Sequence, residues 1–474
     1  MRKPLIKLLE TPIGKYFYDV NKNEILAVSD ESFVALQSML DATQNDTIML
    51  TPEIMGFRSR GYLSDNRVET IKHPATGELS YLLSRKLEKV TLQLTQQCNF
   101  RCSYCIYSDL NNEAQRSHSG EGMSFETAKR AIDFLWEHSI DTEKPNIGFY
   151  GGEPLLKFNL IKQIVEYADE KFESRPHTYA ITTNGSLLTD EVTDYLVKHN
   201  VITMISLDGP KEIHDVSRRF ALNGCGSFDT IRNNIERFHA RHPEYAKSVS
   251  ISMVMNPQHE YNCVNRLFID YEIFRNIRVS PSLIDDTYSN ELTIFTDAFA
   301  RQQQYAYFLR YVSHLELSAD VPISPLFEQS LTQTMSKIES MTPRQLLPKS
   351  TSPGGPCVPG QLKLFINVHG DFYPCERVNE SSAVMNIGNL DDGFHLERAR
   401  NLLNIGALTA DNCRDCWAFS ECTLCAKHAD NDCELSGELK KTFCESVKTN
   451  VKYELLSLIL LREFSKSAVT RRNR

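Results

Sequence analysis

The sequence predicts an α/β protein of several domains: a parallel β/α barrel at its centre, a small α+β module before it, and a loop-rich, cysteine-dense region after it. Three observations carry that expectation. From Lys89 onward, short apolar runs alternate with amphipathic stretches, the rhythm of strands joined by crossover helices. The thirteen cysteines gather mainly in one short loop and one downstream array. The length, 474 residues, exceeds what one hydrophobic core ordinarily organises.

Residues 1–85 read as the first module. GKYFYDV and NEILAV are β-like runs joined by an Asn-Lys-Asn turn; a helix follows from Asp30 through Leu40, capped by Ser29, and Pro52 to Leu63 reads as a second helix running into a Gly-Tyr turn. Residues 86–290 carry the alternation itself, in KVTLQLT, SFETAKRAIDFLWEHS, NIGFYGG, FNLIKQIVEYADEKFES, TYAITTNG and ITMISLDG. In β/α barrels, functional groups sit on the loops after the strand ends, so the residues following each apolar run are the candidates. Residues 291–350 read as a polar, mostly helical bridge. TSPGGPCVPGQ, rich in Pro and Gly, marks the next boundary; residues 351–446 then set their cysteines in a loop-rich stretch that suggests a fold held by metal. Residues 447–474 read as an amphipathic closing helix and a basic tail.

Composition narrows the function. With 41% hydrophobic and 24% charged residues, the chain is of ordinary globular type. A net charge of -9 supplies no footprint for phosphate backbones, so no nucleic acid partner is expected. The opening MRKPLIKLLETPIGKYF is broken by Glu10, Pro12 and Gly14, and the apolar stretch near Leu455 to Leu461 is far short of the ~20 residues a bilayer crossing needs; neither a secretion signal nor a membrane span is expected. Cysteines in such a chain stay reduced, which predicts a cytoplasmic protein whose thiols bind metal rather than pair as disulfides.

After VTLQLT the chain reads Cys98-x3-Cys102-x2-Cys105, three thiols in one loop at the expected barrel mouth. A four-iron cubane held by three cysteines keeps one iron open for a further ligand; spacing alone also admits a zinc site or three free thiols. The Cx3Cx2C spacing with Tyr104 before its third cysteine resembles the radical SAM superfamily. So do Phe149-Tyr150-Gly151-Gly152-Glu153-Pro154, Thr182-Thr183-Asn184-Gly185 and Ser206-Leu207-Asp208-Gly209, each closing an apolar strand, and Arg218 in HDVSRRF followed by GSFDTIRNNIERF. The resemblance implies a partial (β/α)6 TIM-like radical SAM barrel. It also implies a [4Fe-4S] cluster on Cys98, Cys102 and Cys105, and S-adenosylmethionine (SAM) bound through Tyr104, Gly151, Gly152, Glu153, Thr183, Asn184, Ser206, Asp208 and Arg218, with Arg219 the alternative to Arg218. Electron transfer into SAM would then release a 5'-deoxyadenosyl radical.

Downstream the order is Cys357-x12-Gly370-x4-Cys375, then Cys413-x2-Cys416-x5-Cys422-x2-Cys425, with Cys433 and Cys444 beyond. Paired CxxC motifs also suit a zinc ribbon. The whole order resembles the SPASM extension of radical SAM enzymes, which implies two auxiliary [4Fe-4S] clusters and three in all. Cys413, Cys416, Cys422 and Cys444 would hold the outer auxiliary cluster, and Cys357, Cys375 and Cys425 the inner one. The last two cysteines of the central group are two residues apart where the family has three, so either Cys433 or a substrate thiolate completes the inner set. Glu376 falls where some SPASM enzymes place a carboxylate base; it is equally readable as a solvated glutamate. Cys225 and Cys263 read as buried, unreactive thiols.

The first module resembles the winged-helix-like recognition element of peptide-modifying enzymes, which binds a leader peptide by strand addition; a structural cap over the barrel is the other reading. KYFYDVNKNEILAV, FINVHGDFYPCERV, NIGNLDDGF and CRDCWAFSECTLC resemble maturases of cysteine-rich ribosomal peptides of the thioether-forming, ranthipeptide type. That resemblance implies a ribosomal precursor peptide as partner and flavodoxin or ferredoxin as electron donor. The alternatives are another SPASM oxidase, sulfatase-maturase-like or carbon-carbon cyclising, and a non-catalytic zinc protein that binds peptides.

Overall fold

The computed structural model of the chain describes residues 3–42, 50–107, 118–173, 175–288, 293–315, 324–327, 331–332, 334–337, 341 and 343–472, with side chains of the closing helix described through 464. Its centre is a run of parallel strands: Lys89–Gln93, Asn146–Tyr150, Thr178–Thr183, Ile202–Ser206, Ser250–Met255 and Arg278–Leu283, each hydrogen-bonded to the next in chain order. These segments are β-branched and aromatic, and buried residues line them on the core side. The helices between them form for local reasons. In Phe125–His138, Ser124 accepts a hydrogen bond from the Thr127 N–H, a cap worth about 1 kcal/mol. Ala128, Ala131, Ile132 and Leu135 then recur at helical spacing on the buried face.

The sheet does not close on itself. The outer edge of Lys89–Gln93 is taken by Leu364–Ile366, with Leu364 opposite Val90 and Ile366 opposite Leu92 in parallel register. That short strand turns back through Gly370, at φ +95°, into the antiparallel Asp371–Tyr373. The cysteine-rich region is thus bonded by backbone into the central sheet, a connection its three-residue strand gave no periodicity to announce.

The first module is a three-stranded antiparallel sheet of Ile6–Thr11, Gly14–Asp19 and Glu24–Val28. The last two strands and the helices Asp30–Asp41 and Pro52–Ser59 lie where the sequence places them, capped by Ser29 and Thr51. The first strand was not anticipated. Period-two alternation gives the sheet two buried faces: Phe17 packs with Leu36, Ile54 and Phe57, while Tyr16 and Tyr18 face the other way. On that second face lies the closing helix Cys444–Arg472, through Val447, Val451, Leu455, Leu458 and Ile459. The same cluster takes in Phe419 and Leu424 of the cysteine region. Leu79 and Leu83, on the helix Leu79–Arg85, pack into the barrel core.

The described part of the bridge holds the helix Asp297–His314 and the short turn Pro325–Phe327; positions 291–292, 316–323, 328–330, 333, 338–340 and 342 of that expected helical bridge lie outside the described residues, as do the last residues of the basic tail. Among the described residues, no helix is long and apolar enough to cross a membrane.

Leu455 is fully buried at the junction of the first module, the closing helix and the cysteine region. Leu455→Ala is expected to cost about 2–5 kcal/mol, read as a lowered denaturant midpoint in equilibrium unfolding.

Candidate active site

The three loop thiols follow directly from the first barrel strand, and the chain around them is fastened on two sides. On one side, the Gly152 N–H donates to the Thr95 carbonyl (2.7 Å) and the Glu153 N–H to the Gln97 carbonyl (3.0 Å). A Cβ at Gly152 would lie 2.2 Å from the Gln97 oxygen, and one at Gly151, where φ is +141°, 2.4 Å from the Thr95 oxygen. Both glycines are therefore demanded by backbone contact with the lead-in to the cysteine loop. On the other side, the Arg101 N–H donates to the Arg219 carbonyl (2.9 Å), the Ser103 N–H to the Ser217 carbonyl (3.2 Å) and the Ala221 N–H to the Asn99 carbonyl (2.8 Å), while the Phe100 and Phe220 rings meet edge to face.

Asp208, two residues past the end of Ile202–Ser206, ties these parts together. Its Oδ2 accepts from the Arg218 Nε (2.9 Å) and from the Tyr104 hydroxyl, and its Oδ1 accepts from the Val254 N–H (3.1 Å). The Arg218 guanidinium lies 5.6 Å from the centre of the Tyr104 ring. Arg218 is 8% exposed, and no protein partner of its two Nη groups stands among the described residues, so they are the donors left for a bound anion. Arg219, by contrast, is exposed and donates to the Gly224 carbonyl (3.2 Å). Burial drives the Tyr104 hydroxyl well above its usual range, so it stays protonated as the donor to Asp208.

Glu153 is fully buried; Oε1 accepts from the Thr183 hydroxyl (2.7 Å) and the Leu155 N–H (3.0 Å), and Oε2 from the Asn184 N–H (2.7 Å). Burial raises its carboxyl to about 6, against the pull of those donors. The carboxylate braces two strand ends, and Oε2 keeps one lone pair. The Asn184 amide lies 3.9 Å from the Cys98 sulfur and donates to Asn99 (2.8 Å). Ser206 ends its strand half-buried, opposite Ser252.

The loop thiols are electrostatic neighbours: Cys98 senses Cys105, and Cys102 senses both. Burial pushes Cys98 and Cys102 up to about 12, Glu153 adding to the effect at Cys98. Soft sulfurs held in so apolar a setting become thiolates when a multivalent metal centre supplies the compensating charge, which is the donor set an iron-sulfur cluster takes. The downstream cysteines divide in the same way. Cys375 senses Cys425, which senses Cys357; Cys416 senses Cys413 and Cys422, and Cys422 also senses Cys444. Burial raises Cys375 and Cys416 to about 11. Cys433 is exposed in the turn bridged by Asp430 and Leu435, whereas the Cys425 sulfur lies 3.7 Å from the His428 Nδ1. Among the described residues, no three Cys, His, Asp or Glu side chains converge as ligands of a single ion do.

Glu376 forms an ion pair with Lys363 (2.9 Å). Burial would raise its carboxyl, but the Lys363 charge and hydrogen bond outweigh that and hold it below the usual range. Cys225 departs from expectation: it is exposed, at the end of the turn in which Phe220 N–H donates to its carbonyl, and Cys263 is half-buried.

Several supporting residues escaped the sequence reading. His214 accepts from the Asp208 N–H on Nδ1 (3.2 Å) and faces Ser227 through Nε2 (2.9 Å), while Ser227 donates to the Arg218 carbonyl (2.9 Å). Burial lowers His214 to about 3, so it is a neutral spacer that fixes Asp208 and Arg218. Both residues lie in the motifs HDVSRRF and GSFDTIRNN, which were the available signal. Gln93, buried in the first barrel strand, donates to the Tyr107 hydroxyl and to Glu380 (2.9 Å each) and accepts from the Val368 N–H (3.1 Å), joining the cysteine loop to the downstream region.

Residues 92–266 match the Radical SAM superfamily. The chain thus carries a radical SAM domain, within a mixed α/β fold. It is similar to the radical SAM cyclopropyl synthase TigE of Paramaledivibacter caminithermalis, 31% identical over 39% of this chain and 36% of that protein. It is also similar to a cysteine-type anaerobic sulfatase-maturating enzyme of Clostridium perfringens strain 13, 22% identical over 76% of this chain and 94% of that one. The chain spans 36–47% of the length of the first curated relatives it matches. Among solved structures, native anSMEcpe with bound AdoMet shares the fold, with a TM-score of 0.58 at 18% identity over 79% of this chain and 98% of that one.

Asp208 and Arg218 form a buried pair, their side chains 4% and 10% exposed. Asp208→Asn leaves the guanidinium without its counter-charge and is expected to cost about 3–5 kcal/mol, measured by chemical denaturation of the apoprotein; Arg218→Met in the same background should recover part of that loss.

Proposed function

We propose that this chain is a radical SAM maturase of a ribosomally made, cysteine-rich precursor peptide, forming thioether bonds between cysteine sulfur and carbon. The observation that carries the reading is the division of its cysteines into a barrel-mouth triad, an inner group of Cys357, Cys375 and Cys425, and an outer group of Cys413, Cys416, Cys422 and Cys444, with Cys357 before and the others after a strand bonded into the barrel sheet. Bound to these groups, three [4Fe-4S] clusters and SAM would supply one-electron transfer and a 5'-deoxyadenosyl radical. The relatives support the reading, since one is named a cyclopropyl synthase and others sulfatase-maturating enzymes.

In this reading the chain's own residues divide the work. Arg218, held by Asp208 and Tyr104, offers its Nη groups to the SAM carboxylate; Gly151, Gly152, Glu153, Thr183, Asn184 and Ser206 shape the rest of the SAM site. Forming a C–S bond from C–H and S–H removes a hydrogen atom from carbon, taken up by the adenosyl group, and one proton and one electron from the thiol. The electron leaves through the auxiliary cysteine groups to a one-electron carrier of the flavodoxin or ferredoxin type. Lys363 keeps Glu376 ionised, the form a proton acceptor needs, although it weakens Glu376 as a base. Residues 1–85 bind the leader, the addition site being an edge of their three-stranded sheet that no further strand pairs among the described residues.

A second reading, a sulfatase-maturase-like protein oxidase, is favoured by the match over 94% of the Clostridium perfringens enzyme. Product mass together with thiol alkylation separates these and the carbon-carbon cyclising alternative. Thioether closure removes two hydrogens and one alkylatable thiol per link, carbon-carbon cyclisation keeps the thiols, and a sulfatase-type oxidation consumes the cysteine sulfur. Replacing Cys98, Cys102 and Cys105 together with Ala is expected to abolish reductive SAM cleavage while the downstream iron and labile sulfide remain; retained cleavage, or zinc without sulfide in the parent protein, refutes the assignment.

A further inference from the structure

Lys440 is 2% exposed, yet among the described residues no carboxylate lies within ion-pair distance of it. Its ammonium donates to the Thr409 hydroxyl (2.6 Å), itself buried, and lies 3.9 Å from the Cys413 sulfur; the Thr409 oxygen is 3.3 Å from the same sulfur. The Cys422 thiol feels its charge as well. A buried ammonium is costly unless negative charge stands beside it, and the groups nearest this one are the outer cysteines.

The other cations beside the downstream cysteines are arranged differently. Lys363, near Cys375, is paired with Glu376; Lys427, near Cys425, with Asp285; and Lys448, near Cys416 and Cys444, with Glu445 in a more solvated position. Each carries its own counter-charge. Lys440 has the cysteines instead.

We infer that Lys440 is a potential-setting residue of the outer cysteine group, its uncompensated buried charge favouring the reduced state there and so making that group the more oxidising of the two auxiliary ones. This rests on the reading that the outer cysteines hold an iron-sulfur cluster. Reduction adds one electron and one negative charge to a centre already anionic through its four thiolates, and a fixed cation a few ångströms away in a low-dielectric setting stabilises that added charge. At the inner group the nearby lysines each have a carboxylate beside them, Lys363 and Lys89 sharing Glu376 and Lys427 pairing with Asp285, so the bias there is weaker. An electron released when a substrate thiol closes onto carbon therefore runs downhill from the inner group to the outer one, and from there to the external one-electron carrier.

The test is an EPR-monitored redox titration of the full chain, purified anaerobically and reconstituted with iron and sulfide. The parent protein is compared with Lys440→Met, Lys440→Gln, Lys440→Arg and, as the solvated control, Lys448→Met. Both neutral Lys440 variants should keep their iron and sulfide. They should shift the reduction equilibrium of one cluster at least tenfold towards the oxidised form, about 59 mV for one electron, while Lys440→Arg stays near the parent and Lys448→Met shifts less. Unchanged potentials at full iron content overturn the proposal. So does an arginine variant that shifts as far as the methionine one, which makes packing the cause, or iron loss from both neutral variants, which makes the role structural. A parent protein without iron and sulfide sinks the cluster reading itself, a separate and distinguishable failure.

Discussion

The cysteine-bearing mouth of the barrel depends on one buried carboxylate. Asp208 gathers a guanidinium, a phenol and a backbone N–H from three separate stretches of chain: the segment after the helix Lys211–Ser217, the cysteine loop, and the strand Ser250–Met255. None of these is adjacent to another in sequence. Their common partner lies where water is excluded, so each contact is worth more than it would be at the surface, and the loss of any one leaves the others with an unmatched charge or donor. Apart from the buried Phe100, the loop of three thiols has little apolar anchoring of its own; Asp208 and the Gly151–Gly152 contact fasten it from opposite sides.

Buried thiols and buried charges give the molecule its asymmetry. At the barrel mouth the polar groups aimed into the site are donors, the Nη groups of Arg218 and the Asn184 amide, and burial disfavours the thiolates that a metal centre would stabilise. In the downstream region the lysines are mostly matched by carboxylates. The chain thus separates a barrel mouth whose free donors suit a carboxylate group from a downstream region of grouped, buried thiols, and it connects the two through Gln93, whose single amide touches Tyr107, Glu380 and Val368.

Much of this was legible in sequence because catalytic loops follow strands. Cys98, Gly152, Asn184 and Asp208 stand just after four apolar runs, and the structure puts all four at the ends of consecutive parallel strands. The strand Leu364–Ile366 was not legible, since three residues show no period and its partner lies far away in sequence. The first strand, Ile6–Thr11, was obscured by Lys7 and Glu10, which break its apolar pattern; Lys7 lies on the same face as buried Leu9, over the Trp417 ring, and only Glu10 is exposed. Lys440 carried no signal either: a lysine is ordinarily a surface residue, and only the fold brings Thr409 and Cys413 around it. Arg218 and Arg219 could not be told apart in sequence; the chain's path buries one and leaves the other in solvent.

The closing helix covers a face of the very first sheet. Tyr16 and Tyr18 emerge from the ribosome long before Leu455 and Leu458, and until the latter arrive that face has nothing in this cluster from the chain's end to cover it. Synthesis order and assembly order therefore run opposite to each other on this face: strands made early are completed by residues made much later, and the first module and the outer cysteine region share the one cluster that those later residues close.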